Sequence, residues 1–210
     1  SNLTSDLGQV SYIFSDKTGT LTANRMVFKK CSINSQRYQW GPVDPNDSTA
    51  FDHAPLEDLA ADTRAAVAQS NTTQHDNIAD AFFRVLSVCH AVVAEEDPSS
   101  DEAVYQSSSP DEVALTQAAR AHGYTYVSRT NREVFLDVKG VGRQAYEVLA
   151  VLEFDSARKR MSVIVRGPDG KAQVLTKGAD SVILARLKKQ DTTVAQEHIQ
   201  EFAVQGLRTL

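Results

Sequence analysis

At 210 residues with 41% hydrophobic side chains, the chain is long enough for one or two soluble domains with a sizeable core. Its formal net charge of −5 excludes a general nucleic-acid or membrane-surface binder, and no apolar run approaches the length that spans a bilayer. Cys31 and Cys89 are the only cysteines and form no CxxC pair, which points to a reducing compartment without a disulfide framework. His90, beside Cys89, has no second ligand pair and reads as a core or surface histidine.

Taken in chain order, Val10-Ser11-Tyr12-Ile13-Phe14 is apolar and rich in β-formers, which predicts a buried strand. Asp16-Lys17-Thr18-Gly19-Thr20-Leu21-Thr22 follows it, and an aspartate just past such a strand stands where open α/β sheets place reacting groups. A carboxylate there can attack a phosphoryl group if a cation neutralises the approaching charges; a strand followed by a polar glycine turn satisfies the same residues. With no neighbour to pair with, a lone first strand is also expected to be poorly anchored.

A second strand is predicted within 25–33 on Met26-Val27-Phe28-Lys29-Lys30-Cys31, and 41–55, with three prolines, reads as a loop. Helices are predicted at 56–69 and 78–90, the latter with Ile78, Phe82, Val85, Leu86 and Cys89 as its core stripe. The acidic, serine-rich stretch 94–109 reads as a solvated loop, with an acidic docking site as the alternative. Ser109, Pro110 and Glu112 then spell a capping box for a helix that runs to about His122 and stops at Gly123. Five strands are predicted at 124–127, 133–138, 146–154, 160–166 and 171–177, with Gly167-Pro168-Asp169-Gly170 as a hairpin turn. Helices at 179–188 and 193–204 and a stop at Gly206 close the pattern, which contains no internal repeat.

The heptapeptide resembles the phosphorylation motif of P-type ATPases, DKTGT followed by Leu-Thr, at all seven positions. Four further stretches extend the resemblance over essentially the whole chain. Phe154-Asp155-Ser156-Ala157-Arg158-Lys159-Arg160-Met161-Ser162-Val163 is similar to the segment whose phenylalanine stacks on adenine, and Lys177-Gly178-Ala179-Asp180 to the KGA motif, whose lysine lies in the ATP pocket. Ser109-Pro110-Asp111-Glu112-Val113-Ala114-Leu115 and Gly206-Leu207-Arg208-Thr209-Leu210, with Cys89-His90 ahead of them, resemble the phospholipid-flipping type IV branch more than the ion pumps.

The resemblance implies an α+β fold: an antiparallel sheet flanked by helices forms a nucleotide-binding domain over 25–210. Before it, 1–24 supply the first strand of a Rossmann-like, haloacid-dehalogenase-type phosphorylation domain. It also implies Asp16 as the residue phosphorylated by ATP, Lys17 and Thr18 beside it in the catalytic group, and Mg²⁺ held by Asp16 and Thr18. In the nucleotide site, an aromatic platform at Phe154 is worth roughly 1–3 kcal/mol on the base-stacking scale. Lys177, followed by Gly178, can bring its ammonium to a phosphate or the ring; Lys159 and Arg208 can hold the polyphosphate, and Glu112 can accept from the adenine amino group. The bland readings stand beside these: Phe154 as a core strand residue, 158–160 as a solvated basic face, Glu112 as a helix cap.

No GDGxND stretch or TGE-type loop occurs in the sequence. The expectation is therefore a cytoplasmic piece of an integral membrane protein that binds ATP without turnover. The whole protein would move phospholipid through a transmembrane region not present in this sequence, with an accessory membrane subunit of the kind such pumps often use. An ion-transporting P-type ATPase changes only the cargo. A haloacid-dehalogenase phosphatase usually carries a second aspartate two residues after the nucleophile, where this chain has Thr18. A non-catalytic nucleotide-sensing or docking module is the reading from another class.

Overall fold

The computed structural model describes residues 8–41, 54–69, 78–95, 103–188 and 192–210. Most of the proline-rich loop and the acidic centre of 94–109 fall outside them. The fold is α+β, as expected, and is organised around a five-stranded antiparallel meander: β6 (Tyr124–Arg129), β7 (Glu133–Val138), β8 (Gly142–Asp155), β9 (Arg160–Arg166) and β10 (Ala172–Gly178). The order across the sheet is β10-β9-β8-β7-β6, so each strand pairs with its neighbour in sequence. Strict alternation explains the inner face. Val134, Leu136 and Val138 of β7, and Met161, Val163 and Val165 of β9, are buried. The Gly167–Gly170 turn joins β9 to β10, with Gly170 at φ 78°, where glycine meets no steric penalty.

Helices α2 (Ile78–Val88) and α3 (Pro110–Ala121) cover that inner face. The predicted stripe on α2 is borne out at Leu86 and Cys89, which lie in the core, and is widened by residues the pattern left out. Ile78 is exposed and Phe82 and Val85 are half-buried, whereas Ala79, Asp80, Phe83, Arg84, Leu86 and Ser87 face inward. Two charged side chains can occupy the core because they neutralise each other. Arg84 Nε donates to Asp80 Oδ2 at 2.5 Å, Tyr124 donates to Asp80 Oδ1 at 2.8 Å, and Arg84 Nη1 donates to Gln144 Oε1 at 2.5 Å. Phe83 stacks on Tyr124 (5.1 Å between centroids) and on His122 (5.5 Å).

Ahead of this core, β1 (Lys30–Ile33) and β2 (Gln36–Gln39) form a hairpin, and β3 (Ala54–Pro55) joins β2 in parallel. The strand predicted within 25–33 is thus confined to 30–33, and β2 is an element the sequence reading missed. Its signal was Asn34-Ser35. Both residues take positive φ (50° and 61°), as a two-residue type I′ turn demands. Helix α1 (Leu56–Gln69) matches its prediction and buries Leu56, Ala60 and Thr63 along one face.

Helix α4 (Asp180–Leu184) is shorter than the predicted 179–188, and α5 (Thr192–Val204) packs on the β1–β2 hairpin. Lys30 donates to Gln205 at 2.7 Å, Ser32 meets His198 Nδ1 at 2.8 Å, and Arg37 pairs with Glu201 at 2.5 Å. The supposed loop at 94–109 instead has paired ends: β4 (Val93–Glu95) and β5 (Val104–Gln106) form a hairpin. Tyr105 of β5 donates to the Tyr126 carbonyl at 2.7 Å, tying that hairpin to the sheet.

The predicted buried strand at 10–14 does not form. Among the described residues it pairs with no strand, and Tyr12, Ile13 and Phe14 are 82%, 87% and 95% exposed. An isolated extended segment leaves its backbone donors to water and has no apolar layer to cover it, so nothing holds it as a strand.

Candidate nucleotide site

Three strand ends meet at one edge of the sheet. Asp155 pairs across from Arg160, Arg160 pairs with Gly178, and Lys177 lies opposite Met161. Phe154, one residue before Asp155, sits where β8 slips register between Leu152 and Asp155 and is 66% exposed. Two inter-strand spacings, about 10 Å, separate the β8 and β10 backbones here. An exposed aromatic ring and an ammonium group therefore share one end of the sheet.

The turn between β8 and β9 is built by its own side chains. Asp155 Oδ1 accepts the N–H groups of Ala157 (2.7 Å) and Arg158 (3.1 Å), which holds its carboxyl below the usual range. Lys159 takes a left-handed conformation at φ 51°; its N–H donates to the Asp155 carbonyl at 2.6 Å and its carbonyl accepts from Ala179 at 3.0 Å. That carbonyl passes so close to Gly178 that a Cβ there would lie 2.5 Å from it and 2.5 Å from Arg160 Cβ. Gly178 is thus a close-approach glycine that lets the turn seat on β10. The Lys159 side chain itself stays exposed.

Lys177 shares the inner-face register of Met161, which points it toward α3. Its Nζ lies 2.8 Å from Glu112 Oε1, with both side chains about 15% exposed (14% and 15%). Glu112 does not close the predicted capping box. Ser109 makes no side-chain capping bond, and its own N–H donates to Ser107 Oγ at 3.2 Å. The carboxylate turns to better partners: Oε2 accepts from the Ala91 N–H at 3.0 Å and from Ser107 Oγ at 3.4 Å. Burial pushes the Glu112 carboxyl up, but the Lys177 charge, its hydrogen bond and the Ala91 N–H outweigh it and hold Glu112 below the ordinary carboxylate range.

Arg208 returns to the same helix start, with Nη1 3.1 Å from Asp111 Oδ2 and a side chain 64% exposed. Thr209 donates to Asp180 Oδ2 at 3.2 Å, so the last residues lie between the starts of α3 and α4. The structure thus gathers Glu112, Lys177 and Arg208 through contacts on α3, and sets Phe154 and Lys159 at the adjoining sheet end. Asp111, Asp155, Ala91 and Ser107 are parts of this site that sequence reasoning missed. Only Asp155 carried a local signal, an aspartate opening a turn.

Cys89 and His90 are buried supports rather than ligands. The Cys89 Sγ packs 3.6 Å from the Leu175 carbonyl, and burial pushes its thiol up. His90 Nε2 meets the Ser87 carbonyl at 2.9 Å while Nδ1 accepts the Val92 N–H at 3.1 Å, a neutral imidazole with one tautomer. An open groove of about 770 Å³ lies beyond the Ala91 anchor, lined by Asn24, Arg25, Tyr105, Ser107, Pro110 and Gln117 among others; Phe154, Lys159, Lys177 and Arg208 do not border it.

The heptapeptide stands apart. Asp16, Lys17 and Thr18 are exposed, and the stretch closes on itself: Thr22 N–H donates to the Lys17 carbonyl at 3.1 Å, Asp16 Oδ1 accepts from Thr18 N–H at 3.4 Å, and Gly19 takes φ 78°. Among the described residues no hydrogen bond or ion pair ties Asp16–Thr22 to the sheet. No cluster of three or more metal-binding side chains occurs among them either.

The α+β domain carries a lysine–glutamate pair and an exposed ring at one sheet end, and comparison with known proteins makes its class definite. Residues 79–210 match the family described as P-type ATPase, cytoplasmic domain N. The chain belongs to the P-type ATPase family. It is 40% identical to phospholipid-transporting ATPase FetA of Mus musculus over 219 residues, covering 99% of this chain and 18% of that protein. Phospholipid-transporting ATPases IK and ID of Homo sapiens are each 42% identical, covering 100% and 99% of this chain and 16% and 18% of theirs. The chain therefore spans less than a fifth of the length of these relatives. Family membership implies the use of ATP and Mg²⁺. No helix among the described residues is long and apolar enough to cross a membrane.

Proposed function

We propose that residues 25–210 bind ATP for a phospholipid-translocating P-type ATPase, on whose cytoplasmic face they sit. In this reading the adenine stacks on Phe154, Glu112 accepts from its amino group, and Lys177, Lys159 and Arg208 meet the ring edge and polyphosphate. The observation that carries the reading is the half-buried Glu112–Lys177 pair at 2.8 Å at the same end of the sheet as an aromatic ring left 66% exposed. An exposed ring offers a face on which a base can stack, and an ammonium held by a carboxylate keeps further donors for a phosphate.

Residues 1–24 are read as the beginning of a separate phosphorylation domain, in which Asp16 attacks the γ-phosphorus and ADP leaves. Asp16 and Thr18 are the residues that would hold a Mg²⁺ ion, which would supply charge neutralisation for the attack. Lys17 adds a second positive charge. The names of the relatives favour phospholipid over ions as cargo, moved through a membrane part lying outside this sequence, with an accessory membrane subunit as partner. With Asp16 untethered to the ATP site, this chain by itself binds ATP without turnover; acid-stable ³²P on Asp16 in the chain alone would sink that part.

The test of the site is a calorimetric or NMR titration of this chain with ATP. Wild type is expected to bind between about 10 µM and 1 mM, or about −7 to −4 kcal/mol. Phe154→Ala should fold normally and lose roughly five- to a hundredfold in affinity, the 1–3 kcal/mol of one stacked base, and Lys177→Met should weaken binding as well. A folded wild type that binds no ATP, or a Phe154→Ala variant that binds equally well, refutes the reading.

A further inference from the structure

The Glu112 carboxylate is aimed by a peptide unit that is itself held from behind. The His90 carbonyl and the Ala91 N–H belong to one planar trans peptide, so its oxygen and its hydrogen point in opposite directions and turn together. Ala91 N–H donates to Glu112 Oε2 at 3.0 Å. On the far side, Arg129 Nη1 donates to the His90 carbonyl at 2.7 Å, and Nη2 donates to the Val88 carbonyl at 3.0 Å. The guanidinium thus forks over two carbonyls at the end of α2, where helical partners run out.

Arg129 reaches this position because β6 carries a bulge. Tyr126 pairs with Leu136, Val127 is skipped, and Arg129 pairs with Val134, a fully buried inner-face residue. Without the extra residue, alternation from the buried Tyr124 and Tyr126 would place Arg129 on the outer face. The His90 ring clamps the same connector, accepting from Val92 N–H at 3.1 Å and packing edge-on to Tyr126 at 4.5 Å.

We infer that Arg129 is a positioning residue of the nucleotide site: by gripping the His90 carbonyl it aims the Ala91 N–H at Glu112, and Glu112 in turn places Lys177. Hydrogen bonding of a cation to the carbonyl also polarises the peptide and strengthens its N–H as a donor. The inference rests on the proposed ATP site only for its consequence; the positioning itself is a property of the protein without nucleotide.

The experiment compares wild type, Arg129→Met and Arg129→Lys by ¹³C NMR titration of the Glu112 carboxyl without nucleotide, followed by ATP titration. Arg129→Met is expected to move the Glu112 titration to higher pH and to weaken ATP three- to tenfold, the range of one lost hydrogen bond. Arg129→Lys keeps the charge but loses the two-pronged grip, so it should show most of the same shift. An unmoved Glu112 titration in folded Arg129→Met overturns the inference, and so does full restoration in Arg129→Lys, which would make charge rather than grip the cause. If Arg129→Met does not fold, the titration of Arg129→Lys decides by the same criterion. A shifted Glu112 with unchanged ATP affinity upholds the positioning and refutes Glu112 as part of the ATP site.

Discussion

Lowering the pH from 8 to 5 should destabilise the domain by about 2 kcal/mol through His90 alone. Burial drives the His90 imidazole from an ordinary 6.5 down to about 3, aided by the nearby charges of Lys177 and Arg129 and opposed by the Ser87 carbonyl and Glu112. The folded protein therefore keeps His90 neutral while the unfolded chain takes up a proton below 6.5. Across the window from 6.5 to about 3 the unfolded state binds more protons, so stability rises with pH there and is lost as pH falls. At pH 5 the factor is 1 + 10^1.5, about 30, or about 2 kcal/mol; the ceiling below pH 3 is about 5 kcal/mol. Above about pH 7.5 the contribution is flat.

The geometry gives the same sign. Nδ1 accepts from Val92 N–H, and a proton there would face that donor at 3.1 Å. The assay is urea unfolding of wild type and His90→Asn at both pH values. Asn keeps an acceptor near Nδ1 and does not titrate, so the wild-type loss should exceed the variant's by about 2 kcal/mol. pH 5 is high enough that Glu112, held below the ordinary range, stays ionised. A difference under about 0.5 kcal/mol, or a His90 ring resonance titrating near 6.5 in the folded protein, would refute the reasoning.

Breaking the buried pair in α2 should be severe: Asp80→Ala leaves the Arg84 guanidinium, 8% exposed, without its carboxylate and is expected to cost about 3–5 kcal/mol in chemical unfolding. Tyr124→Phe removes the donor to Asp80 and should cost about 1–2 kcal/mol by the same measurement. At Gly178, alanine would place a methyl 2.5 Å from the Lys159 carbonyl, so Gly178→Ala should lower stability by about 1–3 kcal/mol and shift the amide resonances of 155–160; an unchanged spectrum there would contradict the close-approach argument.

The sequence by itself determined the elements whose information is local. Val134, Leu136 and Val138, or Met161, Val163 and Val165, alternate with period two, and Gly-Pro-Asp-Gly turns the chain, so the meander could be read without knowing its neighbours. Helices α1 and α3 were legible for the same reason, from spacing and from Pro110 and Gly123 at their ends. The wording around Asp16, Phe154 and Lys177 carried the resemblance to the P-type ATPases, and the family match bears that resemblance out.

Tertiary structure decided what depends on partners far away in the chain. Glu112 reads locally as a cap, but a carboxylate prefers a cation and a free backbone donor to its own helix end, and Lys177 and Ala91 supply them from 65 and 21 residues away. The α2 stripe was drawn too narrow because Asp80 and Arg84 count as polar in any pattern, while inside the fold they cancel each other beside Tyr124 and Gln144. One skipped residue at Val127 moves Arg129 from the outer to the inner face, a change no periodicity announces. Val10–Phe14 shows the converse: its pattern is that of a strand, yet backbone pairing needs a neighbour, and among the described residues none adjoins it.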